Sequence, residues 1–365
     1  MTGTASDGGM RANLVRLLVG TKRGLFLLVE QRPGEWRISP PLLEGREVYF
    51  AMRDARSGRL WAATRHRVWG AHLHASDDEG ASWHTLDAAP TGGDGGALEA
   101  IWTLTPGPAG EPGLLYAGVE PAGLFVTRDS GASWQPLRGL NEHASRATWQ
   151  PMGGGLALSD VIVDPRDARR VTVAVSAGGV YRTDDGGASW RPLNRGVRAC
   201  FQPDEFPASG QCVHKLIAHP AMPDRLYQQN HCGTYRSDDA GESWVDVTRG
   251  LPSDYGYALA LDPHDADVAF VVPEASSHMR TVVGGRLRVY RTEDAGATWL
   301  PLTSGLPQTN AYVSVLREGL ASDALDPSGL YLGTTTGHLF ASRDRGESWL
   351  PLAGFLPGIL CVRSV

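Results

Sequence analysis

Ser76-Asp77-Asp78-Glu79-Gly80-Ala81-Ser82-Trp83 returns five more times, at Thr127 to Trp134, Thr183 to Trp190, Ser237 to Trp244, Thr292 to Trp299 and Ser342 to Trp349. Each copy reads Ser/Thr-x-Asp-x-Gly-x-Ser/Thr-Trp, which is the chemistry of a hairpin tip. The Asp carboxylate accepts from turn N–H groups, the Gly takes a backbone angle other residues avoid, and the Trp anchors the returning strand. Asp78, Asp129, Asp185, Asp239, Asp294 and Asp344 are therefore structural residues.

The box tryptophans at 83, 134, 190, 244, 299 and 349 lie 51, 56, 54, 55 and 50 residues apart. That period accommodates one four-stranded blade, so the repeat predicts an all-β propeller. Trp36, 47 residues before Trp83 and inside Glu35-Trp36-Arg37-Ile38, marks a first repeat without a box and brings the blade count to seven. Residues 357–365 follow the last box, where the other repeats place the innermost strand of the next blade. They are expected to complete blade one together with residues 12–39, closing the ring and removing a sheet edge. A single propeller over residues 12–365 with a flexible tail at 1–11 is the domain expectation.

The repeated motif resembles the Asp-box (BNR-repeat) propellers, a superfamily containing sialidases, xyloglucanases, sortilin-type receptors and a photosystem II assembly factor. It is most similar to stand-alone bacterial proteins of about this length labelled sialidase-like or glycosyl hydrolase. The resemblance implies the seven-bladed fold and a site on the face opposite the boxes. Sialidases grip a carboxylate with three arginines, use a Tyr nucleophile helped by a Glu, and carry an Arg-Ile-Pro element near the N-terminus. The nearest string here, Arg37-Ile38-Ser39-Pro40, falls on an expected outer strand and departs from that pattern.

The 365 residues carry a formal charge of −6 and a sequence pI near 6.0, which argues against a polyanion-binding surface. No apolar run approaches the ~20 residues that cross a bilayer, and the start lacks a basic-then-apolar signal pattern. The expectations are a cytoplasmic protein, no nucleic-acid or membrane partner, and four reduced cysteines, Cys200, Cys212, Cys232 and Cys361. Lys22 and Lys215 are the only lysines, which singles out Lys215.

Expected innermost strands include Val48 to Arg53, Leu98 to Leu104, Leu156 to Val163, Cys212 to Ala218, Tyr257 to Leu261 and Ala311 to Leu316. Two long loops enter these strands, Leu140 to Gly155 and Asn194 to Gln211, and an insertion, Ser276 to Gly285, follows Glu274. Long loops in compact domains are more often functional than idle. They bring His143, Arg146, Trp149 and Arg198 to the face opposite the boxes, with Trp149 as an aromatic wall.

Blade five concentrates reactive groups, with Gln211-Cys212-Val213-His214-Lys215 on its inner strand and Gln228-Gln229-Asn230-His231-Cys232 ending its second. Antiparallel pairing sets Cys212 opposite His231 or Cys232, and alternation puts Cys212 and His214 on one side of their strand. Three readings fit these residues. They are ordinary packed side chains; Cys212, His214 and His231 hold a late metal such as zinc; or His214 or His231 is a general base with Glu120, Glu99 or Glu274 as partner, Cys212 being a possible nucleophile.

The sequence thus predicts a hydrolase or lyase acting on a small polar substrate. Cys212, His214, His231, Lys215 and Glu120 stand near the chemistry, and Trp149, His143, Arg146, Gln229, Glu274, Arg198 and Tyr257 near the ligand. A non-catalytic binding scaffold is the first alternative and a sialidase-like glycoside hydrolase the second.

Overall fold

A computed structural model of the chain describes residues 14–92, 97–151 and 155–365. The expected tail at 1–11 and the stretch 152–154 of the first long loop lie outside the described residues. Seven four-stranded antiparallel sheets form the ring. Their innermost strands are Glu47–Arg53, Ala100–Pro106, Leu158–Val163, Val213–His219, Gly256–Leu261, Leu320–Ser322 and Ile359–Ser364. The last of these closes the ring as expected: it pairs antiparallel with Arg16–Thr21 in blade one, with Leu17 opposite Ser364 and Val19 opposite Val362.

The box turns are built as their residue types demand. Asp78 accepts from Ser82 N at 2.8 Å and Ser82 Oγ at 2.6 Å, while Gly80 N donates to Ser76 Oγ at 2.9 Å. Glu79 and Gly80 both have positive φ, 57° and 92°, which makes glycine the natural second residue. The same carboxylate-to-Ser/Thr pattern recurs at Asp129, Asp185, Asp239, Asp294 and Asp344. Two box tryptophans tie neighbouring blades together. Trp244 Nε1 donates to Leu193 O and Trp299 Nε1 to Val247 O, both at 2.8 Å. Between blades lie apolar seams, such as Phe270, Val289, Leu320, Leu332 and Trp349 between blades six and seven.

Two expectations are corrected. Ala311 to Leu316 forms no strand, and blade seven uses the three-residue Leu320–Ser322 instead. The backbone of 311–315 is taken by other partners. Ala311 N donates to Gly285 O, Val313 O accepts from Val282 N, and Val315 N donates to the Glu274 carboxylate. The stretch therefore pairs with the blade-six insertion and leaves blade seven's ladder to start later. The second correction concerns the thiols: Cys200 and Cys232 are joined in a disulfide, because the 194–211 loop folds back until their Cα atoms lie 5.9 Å apart. Cys212 and Cys361 are free and buried.

Candidate functional site

Blade five builds the site through a register shift. Val213 pairs with Asn230 and Lys215 with Gln229, with an irregularity between them, so His214 sits at a bulge. His231 N donates to Cys212 O at 2.9 Å and holds the end of the second strand over the start of the first. One ligand atom each of Cys212, His214 and His231 then falls within 4.8 Å of the others. Cys212 Sγ lies 3.5 Å from His214 Nε2. His214 Nδ1 lies 2.6 Å from Gly256 O; since a carbonyl only accepts, Nδ1 carries the proton and the Nε2 lone pair faces the cysteine.

These groups line a pocket of about 390 Å³ together with Ser176, Phe201, Tyr255, Tyr257, Ser277, His278, Arg280 and Arg317. Aromatic edges pack the floor. The His214 ring is 4.6 Å from that of Tyr257 and 5.2 Å from that of Tyr255, and His231 is 5.2 Å from Phe201. The Tyr255 hydroxyl donates to that of Tyr257. Most of the lining comes from strand entries and from the hairpins between second and third strands. The third strand runs from that hairpin to the box, so the pocket opens on the face opposite the boxes.

Burial sets the protonation states. It pushes the Cys212 thiol up, against the opposing pull of the Arg317 charge, and holds the His214 imidazole well below its usual range, with Arg317 adding to the effect. His231 is lowered by the same cause. At neutral pH the pocket presents a thiol and two neutral imidazoles. A protonated, buried thiol is a poor nucleophile. Neutral imidazoles beside sulfur are, however, the donor set that late metals take. Tetrahedral bonds of about 2.0–2.3 Å place donors about 3.5 Å apart. The Gly256 carbonyl supplies the outer partner that orients a metal-binding histidine.

The remaining candidates divide. Tyr257 lines the pocket. Glu274 lies outside the pocket lining and is buried; its Oε1 accepts from Val315 N at 3.1 Å and from Ser314 Oγ, its Oε2 has no partner among the described residues, and burial raises its carboxyl to about 7. Glu120 is buried apart from the cluster, accepting from Trp102 Nε1 at 2.9 Å. Lys215 faces away from the pocket. Its ammonium meets Asp160 Oδ1 at 2.6 Å and Glu318 Oε1, and Glu318 Oε2 meets Arg363. This ion cluster lies beside a separate axial cavity lined in part by Asp160, Lys215 and Arg363.

Trp149, expected as a pocket wall, is buried in blade four, where its Nε1 donates to Tyr181 OH at 2.9 Å. His143 packs on the same tyrosine, and Arg146 lies over the Trp149 ring. Gln229 is spent on the carbonyls of Asn230, Gly233 and Asp254 and on the Thr234 hydroxyl. Arg198 pairs with Glu205 within its own loop. Arg317, Tyr255, Phe201, Ser176 and His278 escaped the sequence reading. Arg317 had one visible signal, a charged pair Arg317-Glu318 at the end of a stretch expected to be an axial strand.

No protein-family model matches the chain. Among curated proteins, it is 28% identical over 234 residues to an oligoxyloglucan-reducing end-specific xyloglucanase of Emericella nidulans, covering 57% of this chain and 28% of that protein. It is 25% identical over 251 residues to a xyloglucanase of a Paenibacillus species, covering 58% and 23%. The chain thus spans about a quarter of the length of these relatives. Among solved structures, it is similar to an ancestral GH74 enzyme, with TM-score 0.59, 14% identity, and 93% of this chain and 40% of that one covered. It is also similar to YCF48 bound to D1 peptide, with TM-score 0.54, 14% identity and coverage of 94% and 87%. At these identities the solved structures establish a shared fold.

Proposed function

We propose that this chain is a hydrolase or lyase acting on a small polar substrate in the pocket over blade five, with Cys212, His214 and His231 as ligands of a late metal ion such as zinc. The convergence of those three donors on the floor of a polar pocket is the observation that carries the reading, and the partial similarity to xyloglucanases supports hydrolysis as a reaction class. A zinc ion held by three protein groups supplies Lewis acidity and a water of lowered pKa. The chain's own groups do the rest. Gly256 O fixes the His214 tautomer, Phe201 and Tyr255 hold the His231 ring by its edges, and Arg280 and His278 stand exposed at the mouth.

The geometry does not favour xyloglucan-type or sialidase-type chemistry at this pocket. Glycoside hydrolysis commonly needs two carboxylates flanking the scissile bond, and among the described residues no Asp or Glu lines the pocket. Arg37 and Ile38 lie on the outermost strand of blade one, away from it. The test is elemental analysis of the purified protein beside Cys212→Ala and His214→Ala. One late-metal equivalent in the wild type, lost in both variants, is the expected result. A wild-type protein that stays metal-free when expressed with added zinc, and whose melting temperature neither zinc nor a chelator moves, overturns the metal site and leaves the binding-scaffold reading standing.

A further inference from the structure

Three arginines are buried among the described residues: Arg182, Arg291 and Arg317. Arg182 pairs with Glu242 and donates to Ala240 O, and Arg291 pairs with Glu347 and donates to Arg345 O. Arg317 is 8% exposed, yet it makes no hydrogen bond or ion pair among the described residues, and its Nε is fully buried without an acceptor. It is held by aromatic faces alone, 5.2 Å from the Trp102 ring centroid in blade three and 5.1 Å from that of Tyr257 in blade six. Rings steady a guanidinium but do not satisfy its N–H groups. Leaving a buried guanidinium nitrogen without an acceptor is costly, and among the described residues none supplies one, so the fork is open to an acceptor from the pocket.

The pocket's composition identifies that acceptor. Arg317 and Arg280 both line it and, among the described residues, no carboxylate does, although the chain as a whole carries −6. Of the acids around it, Glu274 is buried outside the lining, where Ser314 and Val315 hold one of its oxygens, and two others are engaged elsewhere. Glu318, the next residue, turns to Lys215 and Arg363, and Glu120 accepts from Trp102. We propose that Arg317 binds a carboxylate group of a small ligand, making small carboxylic acids the substrate class of this pocket. A guanidinium pressed between rings offers a planar edge, which matches a carboxylate in two parallel hydrogen bonds. Phosphate is the competing anion, because Arg280 adds a second positive charge to the lining, and the test below separates the two. The proposal deepens the hydrolase or lyase reading and rests on it for the word substrate.

Titration calorimetry with propionate, its uncharged isostere propionamide and inorganic phosphate tests it, on the wild type, Arg317→Met, Arg317→Lys and His231→Ala. Propionate is expected to bind the wild type at one site and propionamide at least about tenfold more weakly, the cost of losing a charge-assisted pair. Arg317→Met should abolish propionate binding while keeping any metal the wild type holds, Arg317→Lys should weaken it, and His231→Ala should retain it. Propionate binding that survives in Arg317→Met, phosphate binding tighter than propionate, or no carboxylate binding by the wild type overturns the proposal. Propionate lost in His231→Ala but kept in Arg317→Met places the carboxylate on a metal, which refutes the Arg317 site and supports the metal. A metal-free wild type that still binds propionate through Arg317 refutes the metal-dependent reading and leaves the carboxylate site intact.

Discussion

Glu274→Gln isolates the cost of a buried charge beside the site. The Glu274 side chain is fully buried, its Oε1 accepts from Val315 N and Ser314 Oγ, and its Oε2 finds no donor. Burial outweighs these two bonds and the nearby Arg280 charge, raising the carboxyl from 4.5 to about 7. A folded-state value above the unfolded one means that the folded protein holds this proton more tightly. The associated stability is complete below pH 4.5 and is lost as pH rises to about 7. At about 1.36 kcal/mol per pH unit across that window, the loss is about 3 kcal/mol. Glutamine keeps the acceptor oxygen for Ser314 and Val315 and cannot ionise.

Urea unfolding of both proteins at pH 4.5, 6, 7 and 8 reads the effect, because other titrating groups cancel in the difference. The stability of Glu274→Gln relative to wild type should rise by about 3 kcal/mol between pH 4.5 and 7 and then level off. A difference that stays constant across that range refutes the assignment of a buried, proton-retaining carboxyl. The point bears on the site, since Ser314 and Val315 lead directly to Arg317. A variant that keeps those bonds should leave carboxylate binding intact.

Other perturbations report on the frame. Lys215→Met removes the cation between Asp160 and Glu318 and should cost about 3–5 kcal/mol, the penalty for stranding a buried charge; urea unfolding with wild-type stability would show that the cluster carries no net charge balance. Truncation after Leu356 removes the strand that places Ile359, Cys361 and Val362 in the core. It exposes the edge of Arg16–Thr21, so oligomers or aggregates should appear in size-exclusion chromatography, and a monomer of wild-type melting temperature would disprove closure by that strand. Cys200→Ser opens a loop spanning 32 residues and should cost about 3–4 kcal/mol. Alkylation of four thiols in the unreduced, unfolded wild type would show that the bond does not form.

What the sequence disclosed follows from the range of the forces involved. The boxes are local: Asp78 binds groups four residues on, so the motif carries its own geometry and its period carries the ring. Cys212, His214 and His231 were also within reach, because one strand pair brings them together, and only the bulge at His214 was hidden. Arg317 was not readable, since the rings that hold it come from Trp102 and Tyr257, far apart in the chain and on different blades. Lys215 stood out by rarity, but Asp160 and Glu318, from two other parts of the ring, turn it from a candidate catalyst into a structural pin. The strand expected at 311–316 failed for the same reason: Gly285, Val282 and Glu274, about 25 to 40 residues earlier in the chain, take its backbone groups.

The two neighbours Arg317 and Glu318 stand between the pocket and the axial ion cluster. Their side chains point to opposite sides of one short segment, Arg317 into the pocket and Glu318 to Lys215 and Arg363. Blade five repeats the division on its own strand, with Cys212 and His214 in the pocket and Lys215 lining the axial cavity. The two cavities share no lining residue. The ion cluster also joins blade four through Asp160, blade five through Lys215 and the closing strand through Arg363, so the seam of the ring and the floor of the pocket are fixed by the same contacts. Loosening that cluster should therefore weaken both, and in Lys215→Met the affinity for propionate should fall along with the stability, although Lys215 touches no ligand. Unchanged propionate affinity in a folded but destabilised Lys215→Met would show that the pocket does not depend on the ion cluster.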